Sequence, residues 1–148
     1  MSKFIGVKMI EAVPMTAREA NDKGYRIGNH SFEEDGYEVT YPDGYKSWSP
    51  KSIFERTYFE IKFDDKLSPE DIDNFIKSKS CTTVGKKTTI GVLTCLTGFE
   101  ATASSSCVKP ENYDINIGKK YAIEKAKDQI WSGLGFVLQW AINGLKKK

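Results

Sequence analysis

Side chains able to do chemistry are few and scattered in this sequence. His30 is its only histidine, so a Ser–His or Cys–His pair, or a histidine-based metal site, would have to use that one ring. It sits in Gly28-Asn29-His30-Ser31, a loop composition. Cys81, Cys95 and Cys107 cannot all pair and show no C-x-x-C spacing, which reads as small hydrophobes rather than zinc ligands or disulfides. Asp64, Asp65, Asp71 and Asp73 fit no calcium loop. Beside a helix start they are better explained as charges compatible with its dipole. No Walker loop or dinucleotide glycine fingerprint occurs. The expectation is a chain that is not an enzyme and holds no metal and no cofactor.

Groups suited to binding are better represented. Ser104-Ser105-Ser106 leave a predicted strand, Lys109 lies just beyond, and Asn112 and Asn116 fall near a predicted helix start. Hydroxyls, free amides and a lysine at a helix N-terminus can hold a phosphate. The competing reading makes the serines a plain loop and leaves Asn112 or Asp114 to cap the helix. Phe99 follows a turn glycine and either stacks on a base or fills the core. Tyr37, Tyr41, Tyr45 and Trp48 form an aromatic band, explained by core packing with a stacking surface as the lesser alternative. Arg18, Arg26 and Arg56 are the only guanidinium groups, so a bidentate phosphate contact would come from them. The candidate ligand-binding set is therefore Phe99, Ser104, Ser105, Ser106, Lys109, Asn112, Arg18 and Arg26.

The elements that must position these groups follow from local signals. Residues 3–12 have strand character up to Pro14. Thr16-Ala17-Arg18-Glu19 has capping-box spacing, with Gly24 as the stop of a short helix. Residues 36–41 alternate, Pro42-Asp43-Gly44 turns, and Tyr45-Lys46-Ser47-Trp48 returns, which predicts a hairpin. Ser49-Pro50 sets the cap and first turn of a helix over 51–56, and residues 57–63 look like another strand. Ser68-Pro69-Glu70-Asp71 opens a further helix carrying Ile72, Phe75 and Ile76. Residues 88–104 predict a second hairpin turning at Thr97-Gly98. From Ile115 to about Ile142, Ala122, Ala126, Ile130, Val137 and Ala141 repeat at helical spacing, widened by Ile123, Leu134 and Leu138. Gly133 and Gly135 are expected to break this helix. Trp131, Phe136 and Trp140 make its second piece apolar nearly all round, so it needs a cover.

The fold class expected is α+β, with a β-rich module at 1–63 and a hairpin plus C-terminal helices at 68–148. Modules this small are marginal alone, so self-association through the C-terminal helices would supplement them. No apolar run reaches the roughly 20 residues needed to cross a bilayer, and the start lacks a signal peptide's uninterrupted apolar core because of Lys8 and Glu11. The net charge of +2 divides unevenly, residues 1–61 being acidic by two and 62–148 basic by four. A field this modest does not point to nucleic acid.

The segment from Thr88 to Gln139 then adds a resemblance. It carries a strand ending Gly98-Phe99-Glu100, the step Ser104-Ser105-Ser106-Cys107-Val108, the pattern P-x-N-Y-D-x-x-I-G over 110–118, and G-F-x-L-Q over 135–139. This combination resembles the phage gene-49/gene-66 family of small tailed-phage accessory proteins. The first half, from KFIGVKMIEAVPMT to GYEVTYPDGYKSWSPKSIFERTY, is similar to another small module common in phage genomes. The resemblance implies binding rather than catalysis, in the host cytoplasm. It also brings in build-alike anti-defence sponges, such as those against Thoeris and CBASS immunity, which hold cyclic nucleotide or cyclic ADP-ribose signals between protomers. On that footing the expected ligand is a small anionic nucleotide bound by an oligomer. The alternative is a host-takeover adaptor that grips a bacterial protein through Trp131, Phe136 and Trp140.

Overall fold

The computed structural model describes residues 1–148 and is α+β, with two three-stranded antiparallel sheets and one long helix. It divides into two compact units, Met1–Glu60 with Trp140–Lys148, and Ile61–Gln139. The division thus falls between Glu60 and Ile61, and residues 61–66 belong to the second unit.

In the first unit the sheet runs β1 (Glu11–Pro14), β2 (Gly36–Thr40) and β3 (Lys46–Pro50), in that order. The strand expected over 3–12 is reduced to its end, because only Glu11 to Pro14 finds partners on β2. The hairpin is as its sequence demands: Asp43 Oδ1 accepts from Tyr45 N at 3.0 Å, and Gly44 takes φ +88°, which glycine adopts without steric cost. Helix α1 (Ala17–Asp22) begins where Thr16 Oγ1 accepts from Glu19 N. Met15, Ala17, Ala20 and Trp48 form the core, with Trp48 Nε1 donating to Met15 O at 2.8 Å. Glu38 pairs with Trp48 and Val39 with Ser47. Trp48 therefore lies on the opposite face from Tyr37 and Tyr41, and the single aromatic band expected from sequence is split in two. Helix α2 (Lys51–Thr57) carries no side-chain cap, since Pro50 occupies that place and Ser49 is taken into β3. Residues 58–63 form no strand.

In the second unit, helix α3 (Pro69–Phe75) opens with a reciprocal capping box between Ser68 and Asp71. It leads directly into β4 (Ile76–Val84), which pairs with β5 (Thr88–Cys95), itself paired with β6 (Glu100–Ser106). Strand β4 has no counterpart among the sequence expectations. Its residues IKSKSCTTV are mostly exposed and lack the apolar alternation that marks a strand. Helix α4 (Ile115–Asn143) backs this sheet through Gly118, Ala122, Ala126 and Ile130, four residues apart. A Cβ on Gly91 would meet Ala122 Cβ at 3.3 Å, so small residues on both sides let helix and sheet approach closely. The core joins Ile72, Leu93, Cys95, Ala101, Ala126 and Ile130.

The expected break at Gly133 and Gly135 does not occur, and α4 continues through both. Two glycines cost a helix about 1 kcal/mol each relative to alanine, which does not interrupt the hydrogen-bond ladder of a helix held along four turns. At 29 residues α4 is about 43 Å long, whereas the eight residues of β5 span about 27 Å. The apolar stripe therefore outruns the sheet. Val137, expected on the buried stripe, is 41% exposed and Phe136 72%.

Candidate functional site

Three chain segments meet at one end of the second sheet. The β4–β5 turn places Lys86 and Lys87 there, with Gly85 at φ +69°. Cys107 N donates to Lys87 O at 3.1 Å, so the chain leaving β6 runs alongside this turn. Lys87 Nζ donates to Val108 O at 3.1 Å, which holds its charge against the segment leading to Lys109. Thr88 Oγ1 and Ser106 Oγ share a hydrogen bond of 2.8 Å across the strand pair. Cys107 Sγ donates to Lys109 O, and a 3-10 turn over Pro110–Asn112 closes the corner. Lys86, Lys87 and Lys109 thus lie on adjoining segments beside the Thr88–Ser106 pair, with Glu111 and Asp114 following along the chain. Such a corner favours an anion.

Tyr113 anchors this corner to the sheet. Its hydroxyl lies 2.8 Å from both Thr83 Oγ1 and Thr89 Oγ1, joining β4 to β5. Asp114 Oδ1 accepts from Asn116 N and caps α4, and Gly118 packs on Thr89. The pattern P-x-N-Y-D-x-x-I-G is therefore the device that docks the start of α4 on the sheet.

The residues expected to bind ligand are only partly assembled. Ser104, Ser105 and Ser106 lie within β6 rather than beyond it. Ser105 pairs with buried Thr89 on the helix-facing side, while Ser104 and Ser106 point to the other face. Lys109 belongs to the corner; Asn112 ends the 3-10 turn, and the cap of α4 falls to Asp114. Phe99 is 60% exposed at the opposite end of the hairpin, about 20 Å from Ser106 along β6. Arg18 is engaged with Glu33 and lies over the Phe32 ring, and Arg26 is exposed, both within the first unit. The signal missed in the sequence was the Gly85-Lys86-Lys87 turn, hidden because β4 itself was not expected.

Other clusters are committed to neighbours. His30 Nδ1 is 2.7 Å from Glu34 Oε2, and its ring meets Trp48 edge-on. At the tip of the β2–β3 hairpin, a concavity of about 420 Å³ is lined by Lys8, Tyr41, Pro42, Asp43 and Tyr45. Lys8 Nζ sits 4.4 Å over the Tyr41 ring and takes up that face. Cys95 is buried, which pushes its thiol above the usual range, while Cys81 and Cys107 are half-buried. No group of three or more His, Cys, Asp or Glu could hold a metal ion, and no helix is long and apolar enough to cross a membrane.

The second unit is a three-stranded meander backed by one long helix, with a basic, hydroxyl-bearing corner where strand turn and helix entry meet. Residues 67–142 match the phage protein (N4 Gp49/phage Sf6 gene 66) family model, a span running from just before α3 almost to the end of α4. The chain belongs to that family. No curated protein and no solved structure matches it.

Proposed function

We propose that this phage protein acts by binding, and that it sequesters a small anionic nucleotide immune signal of the cyclic oligonucleotide or cyclic ADP-ribose type, as a homo-oligomer in the host cytoplasm. The observation that carries the reading is the corner formed by Lys86, Lys87, Lys109 and the Thr88–Ser106 hydroxyl pair. Lysines supply point charges for phosphate oxygens, and the one hydroxyl of the pair whose proton is not given to its partner donates to them. Phe99 is too far along β6 to stack on a base whose phosphate sits in the same protomer's corner. Stacking would come from another copy, in keeping with an oligomer. Calorimetry with cyclic dinucleotides, cyclic trinucleotides and cyclic ADP-ribose isomers tests this. Binding of one ligand is expected, weakened about tenfold or more by Lys87→Ala and by Lys109→Ala. Heat denaturation should release that ligand chemically intact. Silence across the panel at micromolar concentration overturns the reading.

A second reading rests on a different observation. Phe136 and Trp131 are 72% and 36% exposed, and aromatic side chains of this kind anchor protein interfaces. An adaptor that grips a host protein through this region would retain a stoichiometric partner from lysate, and lose it on Phe136→Ser.

A further inference from the structure

The second sheet has one closed edge and one open edge. Cys95 N donates to Phe99 O and Cys107 N to Lys87 O, which makes the odd-numbered residues of β5 the ones that bond to β6. The even-numbered residues of β5 therefore bond to β4, and Ser78, Ser80, Thr82 and Val84 turn inward to meet them. The N–H and C=O groups of Lys79, Cys81 and Thr83 then point away from the sheet. On the β6 edge the equivalent carbonyls are taken: Gln129 Nε2 donates to Thr102 O at 2.6 Å and Lys125 Nζ to Ser104 O at 3.2 Å. Nothing meets the outward row of β4, a strand of nine residues that is mostly exposed.

Charge selects what can add there. Between Asp73 and Glu100 the chain carries Lys77, Lys79, Lys86 and Lys87 and no acidic residue. The lysine ion pairs of this unit are Lys62 with Glu70, and Lys127 with Asp73 and Glu124, so Lys77, Lys79 and Lys86 have no carboxylate partner. A second copy would bring the same lysines to the same edge, and lysines on an edge oppose such pairing. An acidic strand meets the reverse situation. Directly opposed residues of antiparallel strands share a face, and opposite charges there attract. Because the backbone of Lys79 turns outward, the residue opposite it must turn its own N–H and C=O toward β4. Acidic residues at alternate positions of the incoming strand satisfy both conditions together.

We propose that the open edge of β4 receives an extended acidic segment of a partner protein, which adds to the sheet as a fourth strand antiparallel to β4. The backbone row of Lys79, Cys81 and Thr83 supplies the affinity, and the unpaired lysines choose the partner. The site lies within one unit and needs neither a bound nucleotide nor the aromatic residues of α4. It therefore stands apart from both readings of the function.

A short fluorescent peptide of alternating glutamate and valine, titrated into the full chain, is the probe. Binding at micromolar concentration is expected. N-methylation of its glutamate amides keeps every charge but removes the donors turned toward β4, and should weaken binding about tenfold or more. Lys77→Glu combined with Lys79→Glu changes only exposed side chains without partners, so circular dichroism and the unfolding midpoint should hold. That variant should bind the glutamate peptide about tenfold more weakly and prefer a lysine–valine peptide instead. In amide exchange, the bound peptide should slow Lys79, Cys81 and Thr83 while leaving Ser80 and Thr82 as they were. An unbound probe overturns the proposal. So does binding indifferent to N-methylation, or a single-stranded oligonucleotide that protects no β4 amide yet competes fully, since either would show charge acting without the edge. Protection of the same three amides in the free chain as its concentration rises would make a second copy the occupant, and overturns it too.

Discussion

Gly118 lies so close to Thr89 that a Cβ at position 118 would sit 3.0 Å from Thr89 Cβ and closer still to Thr89 Oγ1. Thr89 is fully buried, and its hydroxyl is held from the other side by Tyr113. The helix entry, the strand and the tyrosine thus share one oxygen.

Gly118→Ala is therefore expected to destabilise by about 1–3 kcal/mol, the overpacking cost exceeding the roughly 1 kcal/mol that alanine gains in a helix. Gly133→Ala in the same helix has nothing within 4 Å of its new Cβ and should stabilise by about 0.5–1 kcal/mol. Urea unfolding of the two variants checks the opposite signs. A stabilised Gly118→Ala would refute the close approach.

Tyr113→Phe removes the hydroxyl shared with Thr83 and Thr89 and leaves the buried Thr89 short of a partner. A loss of about 1–2 kcal/mol is expected. Amide exchange should quicken most where β4 meets β5, and unchanged protection there would count against the bridging role.

Asp71, 3% exposed, accepts from Ser68 N at 2.8 Å and Lys62 N at 3.1 Å, so one carboxylate ties the approach to α3 and caps its first turn. Asp71→Ala should cost about 2–4 kcal/mol by leaving both amides without that acceptor. Asp71→Asn keeps one acceptor oxygen and should cost less. Equal losses for the two would show that cavity formation, not hydrogen bonding, dominates.

Acid sensitivity in the first unit centres on Glu38. The Tyr25 hydroxyl donates to it at 2.7 Å, with Lys23 and Lys46 nearby, and these hold its carboxyl below the usual range against the opposing effect of burial. The same hydrogen bond pushes the Tyr25 phenol up. A lowered carboxylate contributes stability that is complete above its unfolded pKa and lost as pH falls through the lower folded value. A raised phenol contributes stability lost only as pH rises through its folded value. Tyr25→Phe should move the Glu38 titration upward toward the ordinary range, followed by carboxyl NMR, with the lysines keeping it partly lowered. An unmoved midpoint would show that the lysines alone set it.

Much of the local structure could be read in advance because its causes lie within a few residues. Pro42-Asp43-Gly44 makes its turn through Asp43 and a positive-φ glycine, and Ser68-Pro69-Glu70-Asp71 completes its cap within one helical turn. Gly98 supplies the same backbone freedom between β5 and β6. The candidate site was legible only in pieces. Lys109 and Ser106 were found from composition, but Lys86 and Lys87 depend on β4, whose polar edge sequence gives no apolar rhythm.

Residue types and short spacings alone determined the turns, the caps of α1 and α3, the family motif and the α+β class. Tertiary structure decided which faces those residues share. It placed Trp48 opposite Tyr37, turned Ser105 away from Ser104 and Ser106, carried α4 unbroken past Gly133, and gave Gly118 its purpose against Thr89. The physical reason is that strand register and helix-on-sheet contact join residues ten to about thirty positions apart. One step of register moves every side chain to the other face, and no local preference encodes that choice.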